Sequence, residues 1–235
     1  MKKSSLLIVV PAFNEEGNIL RTLDSITREA SGVDCVVIDD GSRDNTASLC
    51  RENGWSVISL PVNMGLSAAF RTGMKFADLA GYDYAMQIDG DGQHKCEYIH
   101  DMLSYAQENH VDILIGSRYK KNGEEKSLRR FGSKLINLCI RITTHKSLTD
   151  ATSGMRLYNR KMIKLFSMNY NFYPEPDTLA YLIRCGARID EYPVEMNKRQ
   201  NGESYLKPLK SIQYMFDICV SILIMQWFRR KRGII

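Results

Sequence analysis

A chain of 235 residues with 44% apolar and 25% charged side chains is long enough to bury a sizeable core, in one ordinary domain or at most two small ones. Its composition is too apolar for disorder, and 6 Pro with 16 Gly exclude collagen-like or low-complexity sequence. The net charge of +5 is unevenly placed: residues 198–235 carry eight Lys or Arg against Glu203 and Asp217, which leaves −1 on residues 1–197. A nucleic-acid partner is not expected, because such binders spread their charge over a face; a basic tail beside an apolar stretch suits anionic lipid instead.

Met1-Lys2-Lys3 begins like a secretory leader, but the apolar run Leu6–Val10 is too short and meets Pro11 at once, so the chain is expected to stay where it is made. That run, rich in β-branched residues and ended by Pro11, predicts a fully buried strand. Ile19, Leu20, Leu23 and Ile26 then follow helical spacing within Gly17–Ala30. The alternation continues with strands at Cys35–Ile38, Val57–Leu60, Tyr84–Ile88 and Ile113–Ile115, and helices at Asp44–Glu52, Ser67–Leu79 and Glu97–Asn109. Such βαβ units imply an α/β fold with a mostly parallel central sheet and helices on both faces. The six cysteines show neither CxxC pairs nor zinc spacing, as expected of reduced, mostly buried thiols.

In parallel sheets ligands bind beyond the carboxyl ends of the strands. Here those ends are acidic: Asn14-Glu15-Glu16, Asp39-Asp40-Gly41-Ser42 and Asp89-Gly90-Asp91-Gly92. One Asp-Gly turn is ordinary loop chemistry. Three acidic ends on one rim repel one another unless a cation or ligand donors relieve them. No GxxxxGK[ST] loop is present, Lys95 replaces the third glycine of a dinucleotide fingerprint, and His94 and His100 occupy places where a calcium loop needs Gly and Glu. Asp-x-Asp with Gln93 two residues on suits Mg²⁺ or Mn²⁺, which complete their shell with phosphate oxygens and water. A hydrolase using two carboxylates fits the pair alone equally well.

The motifs Pro11-Ala12-Phe13-Asn14-Glu15-Glu16, Asp39-Asp40-Gly41-Ser42-Arg43-Asp44, Asn63-Met64-Gly65 and Asp89-Gly90-Asp91-Gly92-Gln93 resemble, in order and spacing, family 2 glycosyltransferases of the GT-A fold. Within that family the chain looks most like the dolichyl- and polyprenyl-phosphate sugar synthases. Gly116-Ser117-Arg118-Tyr119, Arg129-Arg130-x-x-Ser133, Asp150-x-x-Ser153-Gly154-x-Arg156 and Arg199-x-x-Gly202-x-Ser204 carry that closer resemblance. It implies that Pro11, Ala12, Glu15 and Asp39 line the base and ribose pocket with Asp40 in support. It also implies that Asp89, Asp91 and Gln93 hold the metal, that Arg118, Arg130, Ser133 and Arg199 face phosphates, and that Asp150 and Arg156 shape the sugar site.

The family's activity implies inverting transfer from a nucleotide-sugar (UDP-, GDP- or dTDP-linked). A phosphate acceptor is largely ionised near neutral pH and needs cations to position it; Arg118, Arg130 and Arg199 favour a polyprenyl (undecaprenyl or dolichyl) phosphate. A sugar-hydroxyl acceptor needs a general base; the resemblance implies one in Glu175-Pro176-Asp177, roughly where many sugar-acceptor members of the family carry an acidic pair. A silent nucleotide-sugar-binding subunit is the third reading. Residues 1–205 are expected to form the catalytic domain and 206–235 an amphipathic, basic C-terminal tail. The tail's apolar run Ile218–Phe228 spans only about 16 Å as helix, half a hydrocarbon core. It either packs on its own domain or lies in the interface beside Arg229-Arg230-Lys231-Arg232, at the cytoplasmic membrane face. Because many relatives carry transmembrane helices at this point, a small membrane protein is a further candidate partner.

Overall fold

Leu6 to Val10 are buried without exception in the computed structural model, as a strand covered on both faces requires. The structure describes residues 5–118, 128–169, 172–197 and 208–225, without the side chains of 128–130, 208–212 and 225. Its strands are β1 (Leu6–Ala12), β2 (Asp34–Asp39), β3 (Val57–Ser59), β4 (Tyr84–Gln87), β5 (Ile113–Ser117), β6 (Arg156–Asn159) and β7 (Ile189–Pro193). They form one sheet in the order β3-β2-β1-β4-β6-β5-β7. Only β6 runs against its neighbours among the described residues. The helices are α1 (Ile19–Glu29), α2 (Thr46–Glu52), α3 (Leu66–Ala80), α4 (Ile99–Glu108), α5 (Leu128–Thr144), α6 (Arg160–Met168), α7 (Pro176–Arg184) and α8 (Pro208–Val220), the last followed by a π-helical turn, Ser221–Met225.

Strand pleating sorts β1 into two cores. Leu6, Ile8, Val10 and Ala12 pack with Ile19, Leu23 and Ile26 of α1 and with Ile99 and Met102 of α4. Leu7 and Val9 face the opposite layer, with Phe70 and Met74 of α3, Phe166 of α6 and Leu179 of α7. Helices therefore cover both faces. From β1 the chain goes to β2 on one side and later to β4 on the other. This reversal opens a crevice at the carboxyl ends of β1 and β4.

Pro11 does not end the first strand; β1 continues to Ala12. Ala12 O accepts from Asp40 N on the β2 side, and Val9 O accepts from Ile88 N on the β4 side. By alternation the N–H that Pro11 lacks falls toward β4, beyond the last paired residue, Gln87, so no ladder bond is lost. The other expected elements lie within two residues of the observed ones. The tail is buried in part. Ile218, Cys219 and Ile222 are buried against the domain, while Phe216, Leu223 and Ile224 are exposed. α8 packs on α5 and α7. A Cβ on Gly132 of α5 would lie 1.8 Å from Met215 Sδ, so a larger residue there would oblige the Met215 side chain to swing aside. Arg229–Arg232 lie outside the described residues, and among the described residues no helix is long and apolar enough to cross a membrane.

Candidate active site

The loops after β1 and β2 are laced together by hydrogen bonds from backbone N–H groups. Asn14 N donates to Ser42 Oγ (3.0 Å), Arg43 N to Asn14 Oδ1 (2.9 Å), Glu15 N to Thr46 Oγ1 (2.8 Å) and Glu16 N to Asp44 Oδ2 (3.1 Å). Asp44 also accepts from Thr46 N, and its carboxyl is held below the usual range by these donors against the opposing effect of burial. That clasp is why α2 starts at Thr46 rather than Asp44. It fixes Pro11, Ala12, Glu15 and Asp39 around one edge of the crevice. Asp39 is buried and accepts from Ser42 N (3.0 Å). Asp40, equally buried, accepts from Met64 N (2.8 Å) and Gly65 N (2.7 Å), so it ties down the Asn63-Met64-Gly65 loop.

Asp89 follows β4 on the other side of the crevice. Gln87 Nε2 donates to its Oδ1 (3.0 Å), its own N–H donates to His94 Nδ1 (3.0 Å), and His94 Nε2 lies 3.8 Å from Oδ2. Asp91 Oδ1 accepts from Gln93 N (3.0 Å), and Gly90 O accepts from Thr22 Oγ1 (3.2 Å). Asp89, Asp91 and Gln93 are each partly exposed. Among the described residues no three His, Cys, Asp or Glu side chains close into a metal cage. Two carboxylates and an amide oxygen instead fit an Mg²⁺- or Mn²⁺-type ion that takes its remaining ligands from diphosphate and water. Asn197 N donates to Gln93 O (2.8 Å), which brings the chain alongside this loop two residues before Arg199; Arg199 itself lies outside the described residues.

Arg118 directly follows β5. The fully buried Asp150 carboxylate accepts from its Nε (2.7 Å), Nη2 (2.7 Å) and backbone N (3.1 Å), while the Arg118 side chain stays 30% exposed. Pulling Arg118 away would strand a buried carboxylate at a cost of about 3–5 kcal/mol, so the guanidinium works from this position. Four residues beyond Asp150, Gly154 backs onto Asp89: a Cβ there would lie 2.5 Å from Asp89 Oδ2. One turn thus connects the arginine to the acidic motif. Buried Arg156 braces it from beneath, donating to Ser153 O and Ala151 O (2.8 Å each). Ser133 is buried on α5 and borders a cavity of about 510 Å³ lined also by Lys134, Asn137, Arg141, Ser147 and Thr149. The Arg130 side chain lies outside the described residues.

Glu175 and Asp177, at the start of α7, face the C-terminal helix. Glu175 accepts from Tyr214 Oη and Asp177 from Ser221 Oγ (2.8 Å). Burial pushes the Glu175 carboxyl up, against the Tyr214 hydrogen bond and the nearby Arg156 charge. Tyr214 is raised too, by burial and by the same carboxylate. Four supporting groups were not singled out from the sequence: Gln87, His94, Asn137 and Glu191. Asn137 donates to Thr149 O (2.7 Å) and accepts from Ala151 N (3.2 Å). The only available signal was proximity to a motif, which Gln87 and His94 have and the other two lack.

Several known proteins resemble the chain. It is 26% identical to polyprenol monophosphomannose synthase of Mycolicibacterium smegmatis, over 90% of this chain and 84% of that one. It is 30% identical to undecaprenyl-phosphate 4-deoxy-4-formamido-L-arabinose transferase of Pseudomonas fluorescens, over 90% of this chain and 63% of that one. Its fold is similar to that of glucosyl-3-phosphoglycerate synthase from Mycobacterium tuberculosis, crystallised with Mn²⁺, uridine-diphosphate and phosphoglyceric acid. There the TM-score is 0.68 at 17% identity, covering 94% of this chain and 78% of that one. The family model described as glycosyl transferase family 2 matches residues 7–166. With that match spanning both walls of the crevice, the chain belongs to glycosyl transferase family 2 and is a glycosyltransferase.

Proposed function

We propose that the protein moves a sugar from a nucleotide-sugar to a polyprenyl phosphate, with inversion at the anomeric carbon, at the cytoplasmic face of a membrane. The observation that carries this reading is the single turn from Asp150 to Gly154. It holds Arg118 at one end and abuts Asp89 at the other, so a phosphate-binding cation stands beside the acidic motif. Asp39 and the clasped loops receive the nucleoside. Asp89, Asp91 and Gln93 hold a divalent ion, which supplies Lewis-acid neutralisation of the leaving diphosphate. Relatives named for polyprenol- and undecaprenyl-phosphate transfer support the acceptor class, and Mn²⁺ in a structural neighbour supports the ion.

The acceptor phosphate has a second pKa of about 6 and arrives largely ionised, so Arg118 has to orient it rather than deprotonate it. One phosphate oxygen forms a bond to the anomeric carbon as the bond from that carbon to the nucleoside diphosphate breaks. A single displacement of this kind inverts the centre. A hydroxyl acceptor would need Glu175 or Asp177 to take a proton; both face the C-terminal helix, where they accept hydrogen bonds from Tyr214 and Ser221.

The membrane setting draws support from α5. Phe131, Leu135, Leu138 and Ile142 recur at helical spacing and are all exposed, with exposed Lys134 and Arg141 on the same helix. An apolar stripe flanked by cations suits an anionic bilayer surface. Asp91→Ala tests the chemistry. It should lower transfer on the order of 10³-fold, the equivalent of several kcal/mol of lost charge stabilisation, with the circular dichroism spectrum unchanged. Full transfer by that variant would overturn the metal role.

A further inference from the structure

Glu191 lies on β7, with β5 and β6 between it and the strand that carries the acidic motif, and is 5% exposed. Its carboxylate accepts from one short stretch of chain, Thr149-Asp150. Oε1 accepts from Thr149 N (2.9 Å) and Asp150 N (2.6 Å), and Oε2 accepts from Thr149 N (2.8 Å) and Thr149 Oγ1 (2.9 Å). Ser117 Oγ, the last residue of β5, lies 2.8 Å from Thr149 Oγ1. Burying a carboxylate is costly unless several donors converge on it. Here the donors belong to the two residues that lead into the Asp150 carboxylate, and that carboxylate fixes Arg118 through three hydrogen bonds.

We infer that Glu191 is a positioning residue for Arg118: it fixes the Thr149-Asp150 backbone, and through Asp150 sets the plane in which the guanidinium meets an anionic substrate group. The inference rests on the reading of Arg118 as the group that orients the acceptor phosphate. Its physical content is a relay of charge-assisted hydrogen bonds, from a buried acid to backbone N–H groups and then from a second buried acid to a partly exposed cation. Glu191 touches no reacting atom. A strut that merely joined β7 to the loop would have no preference about where Arg118 points.

The experiment compares wild type with Glu191→Gln, which keeps the shape but places an NH₂ where an N–H needs an acceptor. Thr149→Val is the milder second variant, which removes only the hydroxyl. The first measurement is the hydrogen-exchange protection of the Arg118 Nε–H resonance, assigned by its loss in Arg118→Lys. The second is steady-state kinetics with a short-chain polyprenyl phosphate and the sugar donor. Glu191→Gln should lose the protection and raise the acceptor KM about tenfold, with the donor KM unchanged. Paired with Arg118→Ala it should cost nothing further, since two residues acting through one contact do not add. Thr149→Val should show the same pattern in weaker form.

An unchanged Arg118 resonance in a folded Glu191→Gln protein, or additive losses in the double variant, would overturn the inference. If Glu191→Gln does not fold, unchanged protection and unchanged acceptor KM in Thr149→Val would overturn it as well. Lost protection in a protein whose wild type transfers nothing to lipid phosphate would leave the positioning role standing and remove the proposed acceptor instead.

Discussion

The Asp89 carboxylate is held by neighbours on three sides while its side chain stays 37% exposed. Gln87 Nε2 donates to Oδ1, His94 Nε2 stands 3.8 Å from Oδ2, and the bare Cα of Gly154 backs onto it. A methyl group on Gly154 would lie 2.5 Å from Oδ2, so the carboxylate has to move. Gly154→Ala is therefore expected to cut transfer about 10²-fold, the scale of a misplacement of about 1 Å, and to weaken Mn²⁺-dependent binding of the donor. Initial rates and donor titration check this; normal values for both would show that Gly154 has no bearing on Asp89. Asp-x-Asp stood out in the sequence because two carboxylates two residues apart at a strand end form one local pattern, whereas Ser153-Gly154-x-Arg156 was singled out only by its resemblance to the family. Glu191 was not readable. In Ile-Asp-Glu-Tyr-Pro, nothing local distinguishes the buried acid from its half-exposed neighbour Asp190, since burial is decided by a loop 41 residues away.

The contact between α7 and α8 has a measurable pH signature. Burial raises the Glu175 carboxyl above its ordinary value near 4.5, outweighing the Tyr214 hydrogen bond and the Arg156 charge, which lower it, with a small further rise from Asp177. A raised carboxyl contributes its full stability below the unfolded pKa and loses it as pH rises through the folded one. Glu175→Gln should thus melt with the wild type near pH 4 and above it near pH 8, because the amide never has to ionise while buried. A wild type that outlasts the variant at pH 8 would mean that the charged form is the favoured one.

Strands and helices up to residue 117 were legible because each is a short apolar run or a clean helical stripe between turn residues. Later elements hid for identifiable reasons. α5 has Ile136, Cys139 and Ile140 inward and Phe131, Leu135, Leu138 and Ile142 outward, so two apolar faces blur the 3.6-residue period. β6, only Arg-Leu-Tyr-Asn, is too short and too polar at its ends to announce itself, although both its flanking strands bury it.

Across the whole molecule, the crevice and the apolar face of α5 are linked through Ser133 and Asn137. These side chains look inward toward Thr149 from the helix whose other side is exposed. α8 adds exposed Phe216 beside its close crossing with α5 at Gly132 and Met215. Replacing Leu135 and Ile142 together by Glu should weaken sedimentation with anionic vesicles about 10²-fold, at about 1.5 kcal/mol for each partly inserted side chain, and leave transfer to a detergent-soluble short-chain acceptor intact. Undiminished vesicle binding would place the membrane contact elsewhere.

The most direct measurement supplies labelled nucleotide-sugars, Mn²⁺ and polyprenyl phosphate in detergent, then follows the label into an organic extract. The account predicts an extractable sugar-phosphate lipid of inverted anomeric configuration, formed by wild type and by Glu175→Gln and absent with Asp91→Ala. Label confined to a water-soluble glycan, and lost when Glu175 is replaced, would contradict it.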